Sequence, residues 1–306
     1  MSTSAAAAIH VRGHLLRYVE IKRTDATWSV AAVGRYVFDD DIASRILGAE
    51  DTSGTVPDVG SLPEKIRDLL PQVRGRVVVH PTQVYSFFVP LPAGASPSER
   101  REQVLQQVAL VAGPAAATDR HVFSSVVRSA PDQQGTSYDW VHVLALPEGA
   151  VPGMQAIVGA EAADEWDWMV SSEGAAHSLR PAQLEEKPSG LLVGAYTEHT
   201  EFSLVQAGEW HHAQCTDAAK HTEDVLYFAR AFLNRSGLSS GDVEALWAYG
   251  DAVDSGIQTA LEADTGCEVR VLDPFAELAG EVDVDAAGRP AFAPCVGAAL
   301  KELSAE

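Results

Sequence analysis

An enzyme's reactive side chains tend to recur at recognisable spacings, and few such spacings occur in this sequence. Gly237-Leu238-Ser239-Ser240-Gly241 has the G-x-S-x-G form, which exposes a nucleophilic serine when a strand enters the turn and a helix leaves it. Here a helical pattern enters and a strand pattern leaves, so Gly237 reads as a helix stop and the serines as a connecting loop. His10 and His14 are four apart, a zinc-binding spacing on a helix, but residues 9–11 read as a strand and H-E-x-x-H is absent. His211 and His212 are adjacent and project to opposite faces of a strand, an awkward arrangement for sharing an ion. Asp251 and Asp254 follow the apolar run at 243–248, where a strand end can carry catalytic carboxylates; they read first as a helix cap and a solvated face. Neither G-x-x-x-x-G-K nor G-x-G-x-x-G occurs, so neither phosphate loop applies. The residues by themselves predict no catalytic group and no metal centre.

The elements that would position a site come in two similar series. Strand-like runs at 8–11 and 17–21, a polar turn at 23–26 and a returning run at 28–38 open the chain. The stretch 191–215 repeats this outline, with a buried run at 191–193, an alternating run at 202–206, a turn at 207–209 and a return at 210–215. Between them, Asp39-Asp40-Asp41 opens a short helix ending at Gly48. Ser61-x-x-Glu64 caps a helix closed by Gly75, and strands follow at 76–80 and 84–89, the second ended by Pro90-Leu91-Pro92. Ser96-Pro97-Ser98-Glu99 combines an N-cap, a proline at the first helical position and a capping-box glutamate. Val104, Leu105, Val108, Val111 and Ala112 follow on one face. Strands at 122–127 and 140–146, a helix within 151–159 and a strand at 166–170 lead to a polar crossing at 180–190. The second half continues with a helix capped by Thr222, a strand at 243–248, a helix at 257–263, a strand at 269–272 and a last helix at 295–303. Strands alternating with helices make this an α/β protein.

With 306 residues and 46% apolar content, the chain can build substantial cores. Its formal net charge of −21 opposes nonspecific attraction to nucleic acid or anionic lipid. Only five of its 22 basic residues are lysines, and the acidic residues are spread throughout, a pattern that fits concentrated salt as solvent. Cys215, Cys267 and Cys295 are odd in number and far apart, which indicates neither a disulfide framework nor a zinc knuckle and points to a reducing compartment. No stretch approaches the length of a membrane span. A cytoplasmic location is expected, with any membrane link made through a partner.

Ile9-His10-Val11-Arg12-Gly13-His14-Leu15-Leu16-Arg17-Tyr18-Val19-Glu20 aligns without a gap to the form Ile-Asp-Ile-Gly-Ser-Ser-Ser-Ile-Lys-x-Val-Glu. The second half opens with Val193-Gly194-Ala195-Tyr196 and Thr200, in place of Val-Asp-Ile-Gly and a threonine. Pro274-Phe275 and a closing Ala293, Gly297, Ala299, Leu300 helix complete the set. In this order and spacing the chain resembles the PilM-like proteins of type IV pilus assembly, within the actin-like ATPase superfamily, and their type II secretion relatives. The resemblance implies duplicated actin-like (ribonuclease H-like) α/β domains, at 1–185 and 186–306, with a small α/β subdomain inserted at about 81–130.

The departures from that pattern shape the functional expectation. In the family, two Asp-x-Gly turns flank the nucleotide, the glycines admitting phosphates and the aspartates holding Mg²⁺ through water. Here the aspartates are replaced by His10 and Gly194 and the glycines by Arg12 and Tyr196. Tyr196 and Leu15 add bulk, the adenine-side glycines reduce to Gly250, and Thr200 alone is kept. These positions are read as a vestigial nucleotide cleft, with ATP and Mg²⁺ disfavoured. The resemblance implies a non-catalytic cytoplasmic scaffold that grips the N-terminal tail of a PilN-like single-span inner-membrane protein, in a groove beside the insertion. Val84, Tyr85, Phe87, Phe88, Val104 and Val108 are its expected lining. The alternative is a working actin-like ATPase with unusual phosphate loops.

Overall fold

The computed structural model describes residues 3–25, 27–48, 70–131, 134–159, 161–179, 190–217 and 221–304. The chain opens with an antiparallel meander of β1 (Thr3–Arg12), β2 (Leu15–Thr24) and β3 (Thr27–Val37). β4 (Arg74–Val79) joins β1 in parallel, and β8 (Trp166–Val170) joins β4 in parallel, giving the order β3-β2-β1-β4-β8. The second half builds the same object. β9 (Gly190–Ala195), β10 (Thr200–Gln206) and β11 (Glu209–Thr216) form the meander; β12 (Ala245–Tyr249) and β13 (Val269–Val271) extend it in parallel, in the order β11-β10-β9-β12-β13. The pairing of second with third strand carries a register shift in both meanders, at Glu20/Ile21 and at Leu204/Val205. The duplication thus extends to the irregularity that bends each meander. The second hairpin turns at Ala207 and Gly208, whose φ values of 52° and 74° match the twist of the flanking strands.

A third sheet, in the order β5-β7-β6, is made by β5 (Tyr85–Pro92), β6 (Arg120–Pro131) and β7 (Ser137–Pro147), so it extends past residue 130 to take in β7. Pro90 and Pro92 were expected to end a strand but lie within β5. They are tolerated because β5 is an edge strand, bonded only to β7, and needs no donor on its open side. Helix α1 (Ile42–Leu47) lies between Asp41, which accepts from the Ser44 N–H, and Gly48 at φ 66°. Helix α2 (Pro97–Ala112) has the expected capping box of Ser96 and Glu99 and buries Val104 and Val108 against Val89, Leu91, Val141 and Val143. Val111, expected on that face, is exposed.

Helix α3 (Ala150–Val158) and helix α4 (Ser171–His177) flank β8 in sequence. Reading the sequence missed α4 because Ser171 to His177 is buried all round and shows no amphipathic period. Helices α5 (Thr222–Arg235) and α6 (Ser255–Thr265) follow in the second half; α5 is capped by His221, one residue before the expected Thr222.

The last helix, α7 (Ala293–Ser304), covers the first sheet rather than the second. Cys295, Val296, Ala299 and Leu300 join Ala6, Ala8, Val19, Ile21 and Val78 in one apolar cluster. The chain therefore returns to its first half at its end, which the expected break at 185/186 did not include. The helix expected at 61–75 and the crossing expected at 180–190 fall largely outside the described residues. Gly75, expected as that helix's stop, lies within β4, where a Cβ would stand 2.3 Å from the Ala7 carbonyl oxygen.

Candidate functional site

The carboxyl ends of the parallel strands from both sheets converge, as they do where α/β folds bind ligands. β1 ends at His10 and Arg12, and β4 leads into His80. β8 leads into Ser171, β9 into Tyr196, and β12 ends at Tyr249, followed by Gly250 and Asp251. His199 and Glu201 lie at the start of β10, two residues apart and facing the same way.

At the centre are His80, His199 and Glu201, each at most 3% exposed. His80 Nδ1 lies 2.7 Å from Glu201 Oε1 and 2.9 Å from His199 Nε2, and His199 Nε2 lies 3.1 Å from Glu201 Oε1. Ser171 donates to the same Glu201 oxygen and stands 3.2 Å from His80 Nδ1. Tyr249 donates to Glu201 Oε2 at 2.7 Å, and His10 Nε2 is 2.8 Å from His80 Nε2. Burial pushes the Glu201 carboxyl up, but the charge of His80 and hydrogen bonds from His199 and His80 outweigh it and hold the group well below the usual carboxylate range. Burial pushes His80 down to about 4, so Glu201 is the ionised member at neutral pH.

Around this centre, Tyr196 stacks on His199 with ring centres 4.7 Å apart and meets the His80 ring edge-on at 4.5 Å. Arg12 lies over the Tyr196 ring and bonds to Glu198 and Asp251. Arg17, 2% exposed, also reaches Asp251, at 3.2 Å. The two sheets are thus joined by a buried core of histidines, tyrosines and one carboxylate, closed by an arginine–aspartate network.

Comparison with solved structures finds the PilM–PilN type IV pilus biogenesis complex, at 16% identity and a TM-score of 0.67, covering 97% of this chain and 98% of that one. A Bacteroides thetaiotaomicron protein with an actin-like ATPase fold and unknown function follows at 9% identity and a TM-score of 0.53, covering 89% of this chain and 91% of that one. The chain has the actin-like ATPase fold. Family models and curated proteins give no match to the sequence.

In this actin-like chain His10, Arg12 and Tyr196 come together around His80. Thr200, between His199 and Glu201 on the strand, faces away from them and lines a large cleft of the second half. Gly194 and Gly250 are held by contact: a Cβ on Gly194 would lie 2.5 Å from the Tyr249 ring, and Gly250, at φ 105°, would meet the Ala195 carbonyl oxygen at 2.2 Å. His80, Glu201 and Tyr249 were not singled out, and His199-Thr200-Glu201, two ligand-type residues flanking the kept threonine, was the signal available. Asp254 caps α6 by accepting from the Ile257 N–H. Asp251, read as part of a solvated face, is instead the acceptor for two arginines of the first half. His14 is exposed and far in character from buried His10.

The six expected groove residues do not share one surface. Val84 is buried in the first core, and Val104 and Val108 lie beneath α2. Phe88 sits among His142, Trp210 and His212, with ring centres 4.9–5.1 Å away, which makes it a joint between the third sheet and the second meander. Phe87 packs on the third sheet's core. Tyr85 is 37% exposed, with Arg120 over its ring.

A cleft of about 260 Å³ lies instead between the third sheet and the first domain. Phe123, Ser124 and Ser125 of edge strand β6 form one wall, and Arg76, Asp167, Trp168, Glu173 and Lys301 form the other. Trp168 is buried and its indole N–H has no partner. Burial pushes His142, also in the lining, down to about 4, so it is neutral there. A larger cleft of about 830 Å³ in the second domain is lined by His221, Glu223, Asp224 and Asp254, and its carboxylates oppose a polyphosphate. No described helix is long and apolar enough to cross a membrane.

Proposed function

We propose that this chain is a non-catalytic scaffold of a type IV pilus or related secretion platform, docking the N-terminal tail of a single-span inner-membrane protein of the PilN kind. One observation carries the reading: over 97% of its length the chain shares its fold with a protein solved in the PilM–PilN complex. The cleft beside β6 supports it. β6 bonds only to β7, so its other edge offers an incoming extended peptide a row of backbone partners. The replaced Asp-x-Gly turns and the side chains packed between the sheets favour a cleft that no longer turns over nucleotide.

Two measurements test this. Fluorescence anisotropy with the N-terminal peptide of a single-span membrane protein encoded nearby should give saturable binding. Ser124→Arg and Ser125→Arg should each weaken it by filling the cleft. A peptide whose binding ignores both changes docks elsewhere, and no binding at tens of micromolar removes the reading. Calorimetric titration with Mg-ATP should give no heat of binding; micromolar affinity would favour the working ATPase instead.

A further inference from the structure

We propose that His80, His199 and Glu201 bind one divalent transition-metal ion, zinc by the character of the donors, which clamps the two actin-like domains together. All three ligand atoms lie within 4.8 Å of one another. They come from both halves: His80 follows β4 of the first sheet, while His199 and Glu201 open β10 of the second.

Proton counting argues that hydrogen bonds alone serve these atoms badly. Each imidazole nitrogen points either one proton or one lone pair along its ring plane. His80 Nδ1 and His199 Nε2 stand 2.9 Å apart, and both face the same oxygen of Glu201. If both nitrogens carry protons, two N–H groups oppose each other. If either lacks one, its lone pair faces the lone pairs of a Glu201 carboxylate whose two oxygens already accept from Ser171 and Tyr249, in a dry interior where mismatched polar groups are most costly. A dication at the centre turns the same geometry into attraction, because all three atoms then direct lone pairs at it.

The dimensions and surroundings fit. Tetrahedral zinc with bonds of about 2.0–2.1 Å sets its ligands about 3.3 Å apart, a few tenths of an ångström beyond the separations of 2.7, 2.9 and 3.1 Å. Ser171 Oγ lies against two of the three ligand atoms, 3.2 Å from His80 Nδ1 and hydrogen-bonded to Glu201 Oε1, where it can hold the water that completes a tetrahedral zinc site. Tyr249 and His10 hold the outer atoms of Glu201 and His80, the place of the partners that orient metal ligands. Ligands this deeply buried leave no approach for a substrate, so the ion is structural. It acts independently of peptide docking at β6.

The test uses the full chain, expressed with added zinc and purified without chelator. Elemental analysis should find close to one zinc per chain. Chelation should lower the melting temperature, and zinc should restore it. Cobalt should replace zinc and give the visible absorption of a tetrahedral site. His199→Gln and Glu201→Gln, each checked for folding by circular dichroism, should lose at least tenfold in metal affinity, while His211→Gln, outside the site, should keep it. A folded wild-type chain that holds neither zinc nor cobalt overturns the proposal. So does metal retained undiminished in both site variants, which places it elsewhere.

Discussion

Asp251 holds two arginines from the opposite domain, and one of them, Arg17, has almost no exposure to water. Burial pulls the Arg17 guanidinium below its ordinary value, opposed by Asp251, and its Nε and Nη1 have no partner. Asp251→Asn would remove the countercharge and leave a buried cation uncompensated, a loss of roughly 3–5 kcal/mol when one member of a buried pair is deleted. The expected outcome is a clear fall in the urea midpoint. An unchanged midpoint would mean that solvent already compensates Arg17. His10, Gly194 and Tyr196 were legible as departures from the pattern the resemblance implies, because each is a change of residue type within a short motif. The service of Asp251 was not, because Arg12 and Arg17 are more than 230 positions away and no local pattern records that pairing.

The helices and strands were legible wherever local rules decide them. Ser96 and Glu99 cap α2, Gly48 ends α1, and Ala207-Gly208 turns the second meander, each through contacts within a few residues. Helix α4 escaped because Ser171 to His177 is short, buried on every side and carries no apolar stripe. Its role emerges at the crossing with α7, where a Cβ on Gly297 would lie 1.8 Å from the Gly174 carbonyl oxygen and one on Gly174 would lie 2.4 Å from that of Pro294. Gly297→Val would force the helices apart over the first sheet, and a loss of about 4 kcal/mol or more is expected, the range of severe core disruption. Gly241→Ala, with nothing nearer than 3.9 Å to the added carbon, is the control and should stay within about 0.5 kcal/mol. Chemical denaturation of both measures the contrast, and equal stabilities would refute the close crossing.

At the scale of the molecule, a net charge of −21 makes self-repulsion a standing cost to the compact state that dissolved salt screens. Raising salt from dilute to molar should raise the melting temperature; a flat or falling curve would remove concentrated salt as the solvent this surface suits. The sequence by itself determined the two repeated series, their strands and capped helices, and the acidic surface. All of these are encoded over short stretches by periodicity, caps and composition. The tertiary structure alone decided that α7 closes over the first sheet, that Phe88 is a joint rather than a groove wall, and that His80 meets His199 and Glu201 across 119 and 121 positions. Those outcomes depend on which faces the two sheets turn to each other, and side-chain periodicity specifies that a face is buried without specifying what it is buried against.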